Sequence, residues 1–138
     1  MINRRGAAAL LVLGLQGPVQ AQAMDAKDIE RAQAAAHEWL QLSDSLQTDA
    51  SWEAAASVFQ RSISKSDWAK ALQAARGPLG KLKSRSLKSA TWAKSPPSAT
   101  LGPFLVMQFE SEFEHRAGAL ETITPMREAD GRWKVSGY

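Results

Sequence analysis

Between residues 68 and 85 the sequence reads W-A-K-A-L-Q-A-A-R-G-P-L-G-K-L-K-S-R, and a helical period gives way to an extended one. Trp68, Leu72 and Ala75 recur at helical spacing and define one apolar face. Ser66 or Asp67 just before Trp68 is expected to cap the start of this helix. Gly77 is expected to supply the left-handed conformation that ends it, and Pro78 cannot continue it. Gly80 adds a second joint. Beyond it, Leu82, Ser84 and Ser86 alternate with Lys83, Arg85 and Leu87, as in a strand. The chain must therefore fold as helices first and strands afterwards, and everything else is fitted to that order.

Upstream, two more helices are predicted. Over residues 25–46, Ile29, Ala32, Ala36, Trp39, Ser43 and Leu46 form a stripe with Leu40 at its margin, while Arg31, Glu38 and Gln41 face solvent. Over 52–63, Trp52, Ala55, Ala56, Phe59 and Ile63 recur at three and four, with Ser51 as the expected cap. Downstream, residues 81–93 make a first strand, and 95–103, with Pro96, Pro97, Gly102 and Pro103, make a loop. Leu105, Met107, Phe109 and Phe113 then alternate with Gln108, Glu110 and Glu112, the pattern of an antiparallel strand with one wet face. A turn is expected at 115–118 and a third strand at 119–128, where Pro125 marks a bulge or an edge. Asp130-Gly131 reads as a two-residue turn before a last strand at 132–138. The expected fold is α+β: three N-terminal helices packed on a four-stranded antiparallel sheet.

Residues 1–23 read as a secretory leader. Arg4 and Arg5 form the positive end, residues 7–15 a short apolar run, and Ala21-Gln22-Ala23 a small-x-small cleavage site. The apolar run is too short for a stable membrane anchor. Removing 23 of 138 residues leaves 115, enough for one compact domain. The full chain carries 17 basic against 14 acidic residues; without Arg4 and Arg5 the balance is 15 to 14. A near-neutral domain argues against nucleic acid as partner. There is no cysteine, which excludes disulfides, thiol chemistry and cysteine-ligated metals. The five tryptophans and four phenylalanines must supply the core. Trp39, Trp52, Trp68 and Trp133 fall on apolar faces, and Trp92 is the one expected at a partly exposed rim.

Among residues that carry chemistry, neither His37 nor His115 has metal-ligand spacing. No nucleophile triad, phosphate loop or carboxylate dyad is apparent, and no cofactor is called for. Glu121 stands mid-strand between Leu120 and Ile123, where a covered carboxylate needs a cation. Arg76 and Arg85 flank the helix-to-strand joint and are the expected partners, with Asp44 a second carboxylate for one of them. These residues either tie the joint to the sheet as an ion pair or line a pocket for an anionic ligand.

The chain resembles the bacterial family known only as domain of unknown function 4019. The resemblance is carried by Trp39-Leu40 with Asp44, Ser51-Trp52, Phe59, Trp68, Arg76-x-Pro78-Leu79-Gly80, Ser84-Arg85, Phe113, Glu121-Thr122 and Asp130-Gly131-x-Trp133-x-Val135-x-Gly137-Tyr138. Its most specific pieces are R-x-P-L-G with the following S-R, and the closing D-G-x-W-x-V-x-G-Y. It implies a small exported protein, periplasmic or secreted, and no particular activity. More distantly, helices followed by a sheet ending in D-G-x-W resemble the curved nuclear-transport-factor-2-like or cystatin-like cone, which hosts enzymes and non-enzymes alike. The first expectation is a non-catalytic binding or interaction module, its site between helices and sheet around Arg76, Arg85, Glu121, Asp44 and Tyr138. The partner would be a small molecule or a periplasmic protein. Two alternatives are a small enzyme using Asp44 or Glu121 as general base, and self-association as a homodimer through the sheet.

Overall fold

The structure is a computed structural model that describes residues 25–93 and 102–138. The leader at 1–23 and most of the loop at 95–103 lie outside the described residues. Four helices, α1 (Ala26–Asp44), α2 (Thr48–Ala54), α3 (Ser57–Ser62) and α4 (Lys65–Arg76), pack on an open antiparallel sheet of five strands. The strands are β1 (Leu82–Ala93), β2 (Phe104–Phe113), β3 (Arg116–Ile123), β4 (Pro125–Arg127) and β5 (Trp133–Val135). β2 pairs with β1 on one side and with β3 and β4, end to end, on the other; β5 lies outside β4.

Alternation along β2 decides which face the helices cover. Leu105, Met107, Phe109, Ser111 and Phe113 are buried, whereas Glu110 and Glu112 are exposed. α1 buries Ala32, Ala36, Trp39, Leu40 and Ser43 against that face. Leu46, expected to end this stripe, lies beyond the helix with φ 53° and is exposed. The ring cluster at the centre is Trp39, Phe59 and Trp68, with Phe59 and Trp68 edge-on at 4.9 Å.

The expected single helix over 52–63 is two helices. Ala55 and Ala56 take extended conformations, and the Ala56 N–H donates to the Val135 carbonyl of β5 at 2.8 Å. The Gln60 amide covers the Trp52 and Glu53 carbonyls that the break exposes. Ser51 is no cap. It is buried inside α2, where its carbonyl accepts from the Trp39 indole at 2.8 Å and its hydroxyl from the Trp68 indole at 2.9 Å. One small polar residue thus satisfies two buried indoles. The cap of α4 is Ser64, whose hydroxyl accepts from the Asp67 N–H, rather than Ser66 or Asp67.

The joint also differs in detail. Gly77 stays right-handed at φ −53°, the chain makes one 3₁₀ turn over Gly77–Leu79, and the positive φ falls on Gly80 at 76°. A side chain at Gly80 would meet Glu114 Cβ and the His115 ring at 2.9 Å, so both conformation and space require glycine there. The joint is clamped to the β2–β3 turn by His115 N–H to Leu79 O and Glu114 N–H to Lys81 O, both 2.9 Å.

In β1 strict alternation fails. Leu82 opposes Phe113 and Arg85 opposes Ser111, with a register shift between Leu82 and Ser84. Phe113 and Ser111 are two apart and share the buried face, so the extra residue at Lys83 brings Leu82 and Arg85 to that face together. The expected strand over 119–128 starts earlier, at Arg116, and breaks at Thr124, where the buried Pro125 opens β4. The turn before β5 has three residues, 129–131: Gly131 N–H bonds Glu128 O, Glu128 N–H bonds Arg132 O, and Gly131 has φ 89°. Beyond β5 the pairing continues through Thr124 N–H to Gly137 O and Ser136 N–H to Thr124 O. Tyr138 then turns to the helix side, its ring centroid 5.2 Å from that of Trp39, rather than sharing the face of Lys134.

Candidate functional site

The end of α1, the end of α4, β1, β3 and the residue after the last paired segment converge on one cluster. Asp44 contributes from α1, Arg76 from α4, Arg85 from β1, Glu121 from β3, and Tyr138 closes it. Arg85 is its centre. Its Nη1 and Nη2 donate to Asp44 Oδ2 and Oδ1 at 2.9 and 2.8 Å, and its Nε and Nη2 donate to Glu121 Oε1 and Oε2 at 2.8 and 3.1 Å. A planar guanidinium can hold two carboxylates in this way because its donors form a rigid fork. Arg76 Nη2 donates to Asp44 Oδ1 at 2.8 Å and Nη1 to the Tyr138 hydroxyl at 3.1 Å, while its cation lies 4.7 Å from the Phe113 ring centroid. Tyr138 in turn donates a short hydrogen bond to Glu121 Oε2, and Ser111 donates to Glu121 Oε1 at 2.5 Å.

Two cations and two carboxylates balance, and each of the four carboxylate oxygens accepts at least one bond. The arrangement is largely buried: the side chains of Arg76, Glu121 and Arg85 are 4%, 7% and 10% exposed, and Asp44 is 21% exposed. Burial alone pushes both carboxyls up. Bonds from Arg85 and Arg76 outweigh it at Asp44, and bonds from Arg85, Ser111 and Tyr138 outweigh it at Glu121, so both are held below their ordinary values. Burial would lower Arg85, but its bonds to Asp44 and Glu121 raise it overall. Burial and then the bond to Glu121 raise the Tyr138 phenol, which stays protonated as a donor.

All five residues named from the sequence meet here. The pairing is finer than sequence indicates: Glu121 bonds Arg85 and not Arg76, and Asp44 is shared by both cations. Ser111 was missed, although a lone hydroxyl between Phe109 and Phe113 on an apolar alternation is the signal for a buried polar contact. His37 is exposed, edge-on to Phe109 at 5.6 Å, and His115 packs on Gly80. Trp92 is half-buried beside Trp133, ring centroids 5.8 Å apart.

Beside the cluster opens a cleft of about 500 Å³ between α4 and β3. Ala71, Leu72 and Ala75 form one wall and residues 119–122 the other; Arg76, Glu121 and Tyr138 lie at the floor. Leu120 (57% exposed) and Tyr138 line it, two of the four large apolar side chains that are open to solvent among the described residues.

An α+β domain whose helices and sheet are laced by an Arg–carboxylate–Tyr cluster is the class this geometry defines. The chain belongs to the family described as "Protein of unknown function (DUF4019)", which it matches over residues 35–138. That span includes every residue of the cluster. No curated protein matches the chain. Among the described residues no helix is long and apolar enough to cross a membrane.

Proposed function

We propose that this protein is an exported, non-catalytic binding module that takes its ligand in the cleft between α4 and β3. The observation that carries the reading is the pairing of an open, largely apolar cleft with a floor whose carboxylate is fully bonded and whose arginine keeps one buried nitrogen, Arg76 Nε, without a partner among the described residues. A general base needs a carboxyl raised toward neutrality in a dry pocket. Asp44 and Glu121 are both lowered, which favours binding over acid–base chemistry. Concave sites of a few hundred Å³ with apolar walls and a few fixed polar groups are the usual form of ligand pockets. Export is supported by Arg4, Arg5, the apolar run and the Ala21-Gln22-Ala23 site.

Native mass spectrometry of the protein recovered from its own cells tests the reading. The expected result is a bound mass on the wild type that is lost in Ala75→Trp, which fills the cleft from an exposed helix position. A mass retained by Ala75→Trp, or none on either protein, overturns it. Amino-terminal sequencing of the same material tests export, with Met24 as the expected first residue.

A further inference from the structure

The cleft is lined by four consecutive residues of β3, Ala119, Leu120, Glu121 and Thr122. Successive strand residues point to opposite faces of a sheet, so a cavity on one face sees only every second residue. A cavity that touches all four lies at the strand's edge, where the backbone N–H and C=O groups point. Among the described residues β3 pairs with β2 only, so this edge has no strand beside it.

The missing neighbour has a defined lane. β5 runs antiparallel along β4, and its pairing continues to Thr124 through Ser136 and Gly137. From Thr122 to Arg116 the same lane is open. Seven residues at ~3.4 Å each give it a length of roughly 23 Å. Its far wall is built of small side chains, Ala71 and Ala75, one helical turn apart on α4. Arg116 lines the outer end, exposed and, among the described residues, in no ion pair.

The other edge of the sheet is built differently. β1 carries Lys83, Arg85 and Lys88 and two register shifts, the devices that discourage a further strand. β3 is in regular register from Ala119 to Ile123 and has no charge at its exposed positions there.

We infer that the cleft takes an extended peptide segment of another protein, which adds to the free edge of β3 as a strand antiparallel to it. The inference rests on the binding-module reading and names its ligand class. Backbone hydrogen bonds to β3 hold the segment, alternate apolar side chains enter the cleft toward Leu72 and Phe113, and an acidic group at its C-terminal end meets Arg116. The C-terminal end is specified because an antiparallel strand in the line of β5 runs from Thr122 toward Arg116.

Selection of a random heptapeptide library on the purified full-length protein tests this. The expected peptides alternate apolar residues and carry Asp, Glu or a free carboxylate at the C-terminal end. N-methylation of backbone amides at one set of alternate positions should weaken binding at least tenfold, and at the other set should leave it unchanged. Arg116→Glu should reverse the preference from acidic to basic, and amide exchange at residues 119–122 should slow on binding. Ala71→Trp and Ala75→Trp, both at exposed positions, should each abolish binding. The inference is overturned by failure to enrich any peptide, by N-methyl effects indifferent to position, or by a dimer of the chain that slows exchange at 119–122 without peptide. If no peptide is enriched but a small bound mass is lost in Ala75→Trp, the peptide inference falls and the binding module stands. If that mass is also absent, both fall.

Discussion

The cluster and the cleft share three residues, Arg76, Glu121 and Tyr138, yet they are opposite kinds of site. In the cluster every carboxylate oxygen has a donor, the charges cancel, and the groups come from five separate elements, α1, α4, β1, β2 and β3, and the segment past β5. In the cleft, among the described residues, a strand edge is unpaired, Leu120 is exposed, and Arg116 has no counter-charge. The carboxylates of the first region have nothing left to offer a ligand, and only the buried Arg76 Nε stands there without a partner among the described residues; the second region is open along its whole edge. Polar groups buried together therefore serve as a fixed floor, and recognition falls to the rim that the fold leaves incomplete.

The contrast is broken most severely at Arg85. Arg85→Ala leaves two buried carboxylates without their main cation, a loss of about 3–5 kcal/mol in urea unfolding. Glu121→Gln keeps the shape but presents an amide to the donors of Arg85, Ser111 and Tyr138; about 1–3 kcal/mol should be lost. Tyr138→Phe removes one donor and one acceptor at the edge of the cluster and should cost about 0.5–1.5 kcal/mol.

Acid separates the two regions without mutation. Asp44 and Glu121 have folded values below their ordinary 3.8 and 4.5, so the folded chain binds fewer protons than the unfolded chain. Their contribution is complete above those ordinary values and is lost as pH falls through the lowered ones. Tyr138 acts in the opposite sense, its contribution present below its ordinary 10.0 and lost as pH rises beyond it. Urea midpoints measured across pH should fall at both ends, and the acid limb should shrink in Glu121→Gln. The smallest stability effect is expected in the cleft. Ala75→Trp should change unfolding by less than about 0.5 kcal/mol, as exposed substitutions do, while removing binding.

What could be read from the sequence was what neighbours along the chain determine. The α1 stripe, the wet and dry faces of β2 and the joint near Pro78 all follow from local period and turn chemistry. Glu121 stood out because a carboxylate between Leu120 and Ile123 demands a cation. What could not be read has distant causes. The break at Ala55–Ala56 exists because the Val135 carbonyl takes an N–H. The bulge at Lys83 exists because Arg85 and Leu82 must face the same way. Ser51 resembles a helix cap until two indoles from α1 and α4 arrive at it. The open edge of β3 is visible only once β5 is seen to lie beside β4 instead.

Backbone amide NMR of the full-length protein, titrated with the heptapeptide of highest affinity from the library, tests the account most directly. Shifts concentrated at residues 71–75 and 116–122, with the Arg85 guanidinium signals unmoved, are the predicted result. Shifts that bypass β3, or a peptide that displaces Arg85 from Asp44 and Glu121, would contradict it.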